Sequence, residues 1–347
     1  MSELILDSQA YKHNLNLISS HIALHGSKAE LAAVLKDNAY GHGLAQIADL
    51  AKQSGIKSVF VKNYAEAMGI KDKFPSITAL YGLPQGDFPS NVMFVINDRD
   101  SISALPRGTK VELKVNTGMN RNGIESSRLN EFVELILSHG LELVGVFCHN
   151  GYGDDENDEF YRTQERFSEV KERVRGLSAT LGFACPRFHS LSSSGAVRVA
   201  SEGAIDDDLV RVGIAGYGYL EAEFDNPIAP KLKPIASLWA DRVSTRFLKK
   251  GERIGYSGCS QLEADSVIST YDVGYGDGFF RASEHHSVHT AAGYKILPRS
   301  SMDCFSCLCD EERICVFDDA RSVARSFGTI SYEILTHLSP SIKRTII

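Results

Sequence analysis

The stretch Ala33-Val34-Leu35-Lys36-Asp37-Asn38-Ala39-Tyr40-Gly41-His42-Gly43 decides how the chain reads. The apolar run at residues 31–35 lacks period-2 alternation, the mark of a strand buried on both faces. It stops at Lys36, which sets an ammonium group at the C-terminal lip of an interior strand. Asp37-Asn38 and Gly41-His42-Gly43 then supply turn residues before a helical pattern begins near Leu44. A lone lysine at a strand end is ordinarily a solvated side chain. Here Tyr40, in the same glycine-flanked turn, brings a phenol beside the same position.

Outward from this strand, further short apolar runs lie at residues 58–62, 77–81, 92–96, 110–115, 143–148, 187–191 and 209–213. Segments of helical periodicity separate most of them, such as 126–138 and 156–181, and an amphipathic helix pattern at 8–24 precedes them all. Eight strand–helix units in about 220 residues predict an α/β fold of the (β/α)8 TIM-barrel type. An open doubly wound sheet would need a glycine fingerprint after its first strand, and none is present. From about Ala222 the texture changes. Asp225-Asn226-Pro227, Pro230 and Pro234 read as a linker, followed by β-rich runs at 235–247, 266–273, 287–290, 294–297, 302–308 and 314–317. Short helices are expected at 321–326 and 332–337. The expected organisation is a barrel at 8–224 and a mostly antiparallel β domain at 225–347, with 1–7 as an added strand.

Bulk properties narrow the function. The chain has 347 residues, 43% hydrophobic and 23% charged, with a net charge of −7, which argues against a nucleic-acid surface. No apolar run reaches the roughly 18 residues of a membrane span, and the first residues lack a secretory pattern. Seven cysteines, an odd number, read as reduced thiols, so a cytoplasmic location is expected. Cys304, Cys307, Cys309 and Cys315 invite a zinc reading, but the Cys307-Leu308-Cys309 alternation fits a strand; no metal site is expected.

In a barrel, functional side chains gather at the C-terminal ends of the strands. Lys36 and Tyr40 follow the first run, and Lys114, Asn116, Met119 and Arg121 end or follow the fifth. His149 and Asn150 follow the sixth, Ser192-Ser193-Ser194 the seventh, and Arg211 to Gly218 the eighth. The last two loops are a frequent phosphate position, where serine hydroxyls, helix N-terminal amides and the backbone of Gly213-Ile214-Ala215-Gly216 approach an anion.

Lys36-Asp37-Asn38-Ala39-Tyr40-Gly41-His42-Gly43 resembles the pyridoxal-phosphate lysine motif of the alanine racemases, in which alanine more often stands at the Asp37 position. The resemblance extends in order along nearly the whole chain. It implies pyridoxal 5'-phosphate as cofactor, with Lys36 on its aldehyde, Tyr40 among the residues that bind it, and Ser193, Gly213 and Ile214 around its phosphate. Thr117-Gly118-Met119-Asn120-Arg121 is similar to the family segment whose arginine contacts the cofactor phenol oxygen and the substrate carboxylate. His149 matches the histidine under the pyridine ring, and Arg211 the arginine on the pyridine nitrogen. Lys114 matches a lysine carbamylated in some members, although Asn116 replaces the acidic residue that follows it. Val273-Gly274-Tyr275-Gly276-Asp277-Gly278-Phe279 resembles the Gly-Tyr-x-Asp-Gly motif, which makes Tyr275 the second catalytic base beside Lys36. Pro298-Arg299-Ser300-Ser301-Met302-Asp303 resembles the segment in which Met302 reaches the substrate carboxylate.

In the family both of these last segments enter from the partner subunit, which implies a head-to-tail homodimer with shared active sites. One departure stands out. Pro340 lies where a phosphate-contacting tyrosine is expected, so either Tyr332 or another hydroxyl substitutes or the phosphate is held more loosely. The function implied is a two-base racemase interconverting L- and D-alanine and supplying D-alanine for peptidoglycan. A broader amino-acid racemase is the alternative. A non-catalytic pyridoxal-phosphate binding protein would lack the β domain, and a decarboxylase would carry an acidic residue at the Arg211 position.

Overall fold

Strand β1 (Glu3–Leu6) and helix α1 (Ser8–Ile22) open the computed structural model, which describes residues 1–347. The run ahead of Lys36 forms β2 (Glu30–Val34), and Lys36–Tyr40 follows as the single turn α2. This turn is wound left-handed: Asp37, Asn38, Ala39 and Tyr40 have φ of 54°, 54°, 53° and 53°. Next come α3 (Leu44–Gln53), β3 (Ser58–Val61), α4 (Tyr64–Gly69), β4 (Ser76–Ala79), β5 (Val92–Ile96) and α5 (Arg99–Ser103). They are followed by β6 (Lys110–Asn116), β7 (Ile124–Glu125), α6 (Leu129–Ser138), β8 (Glu142–Phe147), α7 (Glu159–Leu181), β9 (Arg187–His189), α8 (Ser193–Glu202) and β10 (Leu209–Val212). Side-chain caps fix several starts, such as Asn63 Oδ1 accepting from Glu66 N at 3.1 Å and Asp98 Oδ1 from Ser101 N at 2.8 Å.

The parallel strands pair in the order β10-β2-β3-β4-β5-β6-β8-β9. Backbone bonds from Asp208 N to Phe188 O (2.8 Å) and Arg211 N to Leu191 O (3.2 Å) bring β9 and β10 together, so the eight-stranded barrel is nearly closed. All the barrel strands expected from the sequence are present. Residues 80–91 cross from β4 to β5 without a helix, because Gly82, Pro84, Gly86 and Pro89 break any helical run.

The chain divides into two units, Lys12–Asp37 with Ile47–Lys233, and Met1–Tyr11 with Asn38–Gln46 and Pro234–Ile347. The proline-containing segment before Pro234 thus stays with the barrel. The buried Asn14 holds it there: its Nδ2 donates to Lys233 O (2.8 Å) and Gly216 O (3.2 Å), and its Oδ1 accepts from Lys233 N (2.9 Å).

The other unit is built on the long strand β11 (Ala236–Leu248), followed by the small pair β12 (Arg253–Ile254) and β13 (Ser260–Gln261), then β14 (Ser266–Tyr271), β15 (Ile296–Leu297), β16 (Phe305–Cys307) and β17 (Arg313–Phe317). Helices α9 (Ala320–Phe327) and α10 (Ser331–His337) and strand β18 (Lys343–Ile346) complete it. The sheet runs β15-β16-β14-β11-β1-β18, with β17 also on β11, and every pairing is antiparallel except β1 with β18. The strand expected at 287–290 reduces to one bridge, His289 with Lys295. Strand β18 carries no apolar run that announces it. Glu3 holds it instead, accepting from Lys343 Nζ at 2.8 Å and from Thr345 Oγ1 at 2.5 Å.

Candidate active site

Side chains on alternate positions of a barrel strand share its inner face. The groups at the C-terminal lip of β2, β6, β8 and β10 converge. His149 is half-buried, and burial followed by the charges of Arg211, Arg121, Lys114 and Lys36 pushes its imidazole down to about 3. Lys114, buried beneath them, is pushed down to about 8 by burial and then by Arg121, Arg211 and Lys36. Its Nζ donates to Asn122 Oδ1 and lies 5.8 Å from the Phe147 ring centroid. Cations from three strand ends therefore face one neutral imidazole, an arrangement that attracts an anion.

Arg121 is exposed and has no acceptor in the chain. Its loop is held by Asn116, whose Oδ1 accepts from Gly118 N and Asn120 N, both at 3.1 Å, while Arg166 Nη1 donates to Thr117 O at 3.0 Å. Asn116, which stands where an acid is expected, thus serves as the anchor of this turn.

Arg211 is buried and almost fully engaged. Nη2 donates to Cys148 O (2.8 Å) and Ser190 O (3.2 Å), and Nη1 to His189 O (3.0 Å) and His189 Nδ1. A guanidinium has five N–H groups, so Nε–H is the one without an acceptor in the protein.

Ser192 caps α8, accepting from Gly195 N at 3.4 Å. Ser194 Oγ donates to Asp154 Oδ1, whereas Ser193 Oγ accepts from Gly213 N at 3.2 Å. This separates the adjacent serines: Ser193 joins the loop after β10, and Ser194 is tied to Asp154. The amides of Ser194, Ile214 and Ala215 have no acceptor in the chain, so two neighbouring loops present open N–H groups. Gly213 contributes by positioning Ser193 rather than by an open amide of its own. Sequence reasoning did not single out His189 or Asn14, the last of which holds the Gly216 turn.

Within the second unit, the ring centroids of Tyr40 and Tyr332 lie 5.9 Å apart at 49°. Gly41, with φ 81°, sits against α10 so closely that a Cβ there would fall 1.8 Å from Leu335 O. Arg344 Nη2 donates to Gly41 O at 2.9 Å. Asn38 Oδ1 accepts from Leu44 N at 2.8 Å and starts α3. His42 is buried, and burial pushes it down to about 4. Tyr275 and Met302 are brought together: Tyr275 N donates to Ser301 O at 3.2 Å and Gly276 N to Met302 O at 2.8 Å. Both side chains are open, Tyr275 at 40% and Met302 at 54% exposure. The Arg281 guanidinium lies 5.9 Å from the Tyr275 ring. Pro340 occupies the exposed turn ahead of β18, where Ser341 N donates to Ser339 Oγ at 3.3 Å.

These donors fit pyridoxal phosphate. A lysine stands at the lip, one unengaged guanidinium N–H suits a ring nitrogen, and open amides suit a phosphate. Fold and site define a barrel-type pyridoxal-phosphate protein with an appended β domain. Family models of the alanine racemase N-terminal and C-terminal domains match residues 6–221 and 235–346. The alanine racemase of Campylobacter concisus is 43% identical over 347 residues, covering 100% of both chains. That of a Nitratiruptor species is 40% identical over 345 residues, covering 99% of each. The chain belongs to the alanine racemase family. Among solved structures, the alanine racemase of Bartonella henselae with covalently bound pyridoxal phosphate aligns with a TM-score of 0.81 and 24% identity, over 100% of this chain and 99% of that one. The enzyme from D-cycloserine-producing Streptomyces lavendulae aligns with a TM-score of 0.84 and 22% identity, over 100% and 97%. These two likenesses establish the shared fold.

Proposed function

We infer that the chain is a pyridoxal-phosphate-dependent alanine racemase that supplies D-alanine for peptidoglycan. Full-length similarity to alanine racemases carries this reading, together with Lys36 at the lip where Lys114, Arg121 and Arg211 converge on His149. Bound pyridoxal phosphate supplies the electron sink that makes the amino-acid Cα proton removable by a protein base.

The chain's own residues do the rest. Lys36 Nζ would hold the cofactor carbonyl and, once free of it, would carry a proton on one face of Cα. Tyr275 Oη carries the proton on the other face. Arg211 would direct its remaining Nε–H to the pyridine nitrogen. Ser193, with the amides of Ile214 and Ala215, would receive the phosphate; within the other unit Tyr332 packs on Tyr40, a hydroxyl on hand in place of the tyrosine absent at Pro340. Arg121 would take the phenolic oxygen and the substrate carboxylate, the latter shared with the Met302 backbone of the partner copy.

The exposure of Tyr275 and Met302 supports a second copy of this chain covering them, so each site would draw its second base from a head-to-tail homodimer partner. No helix is long and apolar enough to cross a membrane, and all seven cysteines are free thiols, which fits a cytoplasmic enzyme. The test is chiral analysis of alanine after incubation of the holoenzyme with pure L- or D-alanine. Approach to an equal mixture from both sides is expected. No interconversion, with the cofactor bound, would refute the reading.

A further inference from the structure

Beneath the mouth, the barrel interior holds a charged cluster of Arg187, Glu112 and His189. Arg187 on β9 reaches across to strands that are not its neighbours. Its Nη1 donates to Ser58 Oγ on β3 (3.2 Å) and Ser76 Oγ on β4 (3.1 Å). Its Nε donates to Glu112 Oε1 on β6 (3.0 Å), as does Nη2. Glu112 is completely buried, and its other oxygen, Oε2, lies 3.1 Å from His189 Nε2. Gly145 on the adjacent β8 leaves the room, since a Cβ there would fall 2.8 Å from the Glu112 carboxyl carbon. His189 stacks on Phe147 at 4.8 Å and 13°, and its Nδ1 meets Arg211 Nη1.

We propose that Glu112 is a positioning residue for Arg211, acting through the tautomer of His189. A carboxylate only accepts, so His189 carries its hydrogen on Nε2 toward Glu112 and leaves Nδ1 bare. Arg211 only donates, so it needs that bare nitrogen. The opposite tautomer would set N–H against N–H. Burial would raise the Glu112 carboxyl, but Arg187 and His189 outweigh it and hold it at about 2. Burial keeps His189 neutral, at about 4, so its contact with Glu112 is a hydrogen bond between a carboxylate and a neutral ring. With four Arg211 hydrogens fixed in this way, the direction of its Nε–H is fixed too. The consequence for turnover rests on Arg211 serving the cofactor nitrogen; the tautomer does not.

The test is the side-chain nitrogen NMR spectrum of His189 in holoenzyme labelled with 15N-histidine. The wild type should show hydrogen on Nε2, and hydrogen on Nδ1 would overturn the proposal. In Glu112→Gln the amide oxygen stays with Arg187 and its NH2 faces His189. The hydrogen should move to Nδ1, and kcat should fall about tenfold or more with the visible band of the Lys36-bound cofactor retained. An unchanged tautomer, or a moved one with kcat within twofold of wild type, would refute it. Should that variant not fold, His189→Gln decides, because its carboxamide gives Glu112 a donor and Arg211 an acceptor. It should keep most turnover where His189→Leu loses it, and equal losses would sink the idea. A wild type that racemises nothing would instead overturn the functional reading and leave the tautomer result standing.

Discussion

Replacing Gly41 with alanine tests how the lysine turn is seated. The new Cβ would fall 1.8 Å from Leu335 O and 2.7 Å from its carbonyl carbon, at a φ of 81°. An L-residue at that φ costs about 1 kcal/mol. Relieving the contact means moving α10 by more than an ångström, an overpacking cost of about 1–3 kcal/mol. Together they predict a loss of about 2–4 kcal/mol from the unit that carries α10. Gly26→Ala is the control, because Gly26 has φ 76° but nothing within 4 Å of its Cβ. It should show only the backbone share. Urea titration of both variants against wild type gives the difference, and cofactor release on dilution reports whether Tyr332 still packs on Tyr40. If Gly41→Ala is no less stable than Gly26→Ala and releases cofactor no faster, Gly41 does not seat α10 and the reasoning fails.

Three other outcomes follow. Lys36→Ala should lose the visible band formed with pyridoxal phosphate, while Tyr275→Phe should keep it and lose racemisation; a band in the first or near wild-type turnover in the second contradicts the assigned roles. Mixing these two inactive variants under conditions that exchange subunits should restore about a quarter of wild-type activity, since half the dimers are mixed and each has one intact site; no recovery argues against shared sites. His42, His149 and His189 are pushed down to about 4, 3 and 4 by burial. The unfolded chain therefore binds protons that the folded one refuses, and stability is full above the ordinary histidine value and falls with pH below it. Between pH 6 and 5 the loss should be about 3 to 4 kcal/mol by urea titration, and flat or rising stability would show these rings protonated in the fold.

The barrel was legible because each of its strands is a short apolar run with a polar lip, a local signal that needs no knowledge of partners. Strand β18 was not, since Lys-Arg-Thr-Ile has no such pattern and its partner β1 lies at the far end of the chain. The left-handed turn was equally hidden. Asp37, Asn38, Ala39 and Tyr40 include no glycine, so nothing local announces four consecutive positive φ values. Lys36, Tyr40, Arg121, His149, Ser193, Arg211 and Tyr275 were named through motif resemblance, and of the three serines it named the one whose Oγ accepts from Gly213 N. Glu112 escaped because one acid within an apolar strand reads as an exception. Its meaning depends on Arg187 and His189, both on a strand distant in sequence, and the small Gly145 opposite was the only trace.

Helix α10 rests on two glycines. Gly41 lies under Leu335 O, and Gly278 under His337 O, where a Cβ would also fall at 1.8 Å. The loop that bears Tyr40 and the loop that bears Tyr275 thus share one fulcrum. Neither can be redesigned alone: lengthening or stiffening one tips the helix and re-aims the other. A change that lifts either loop off α10 must therefore be matched at the other.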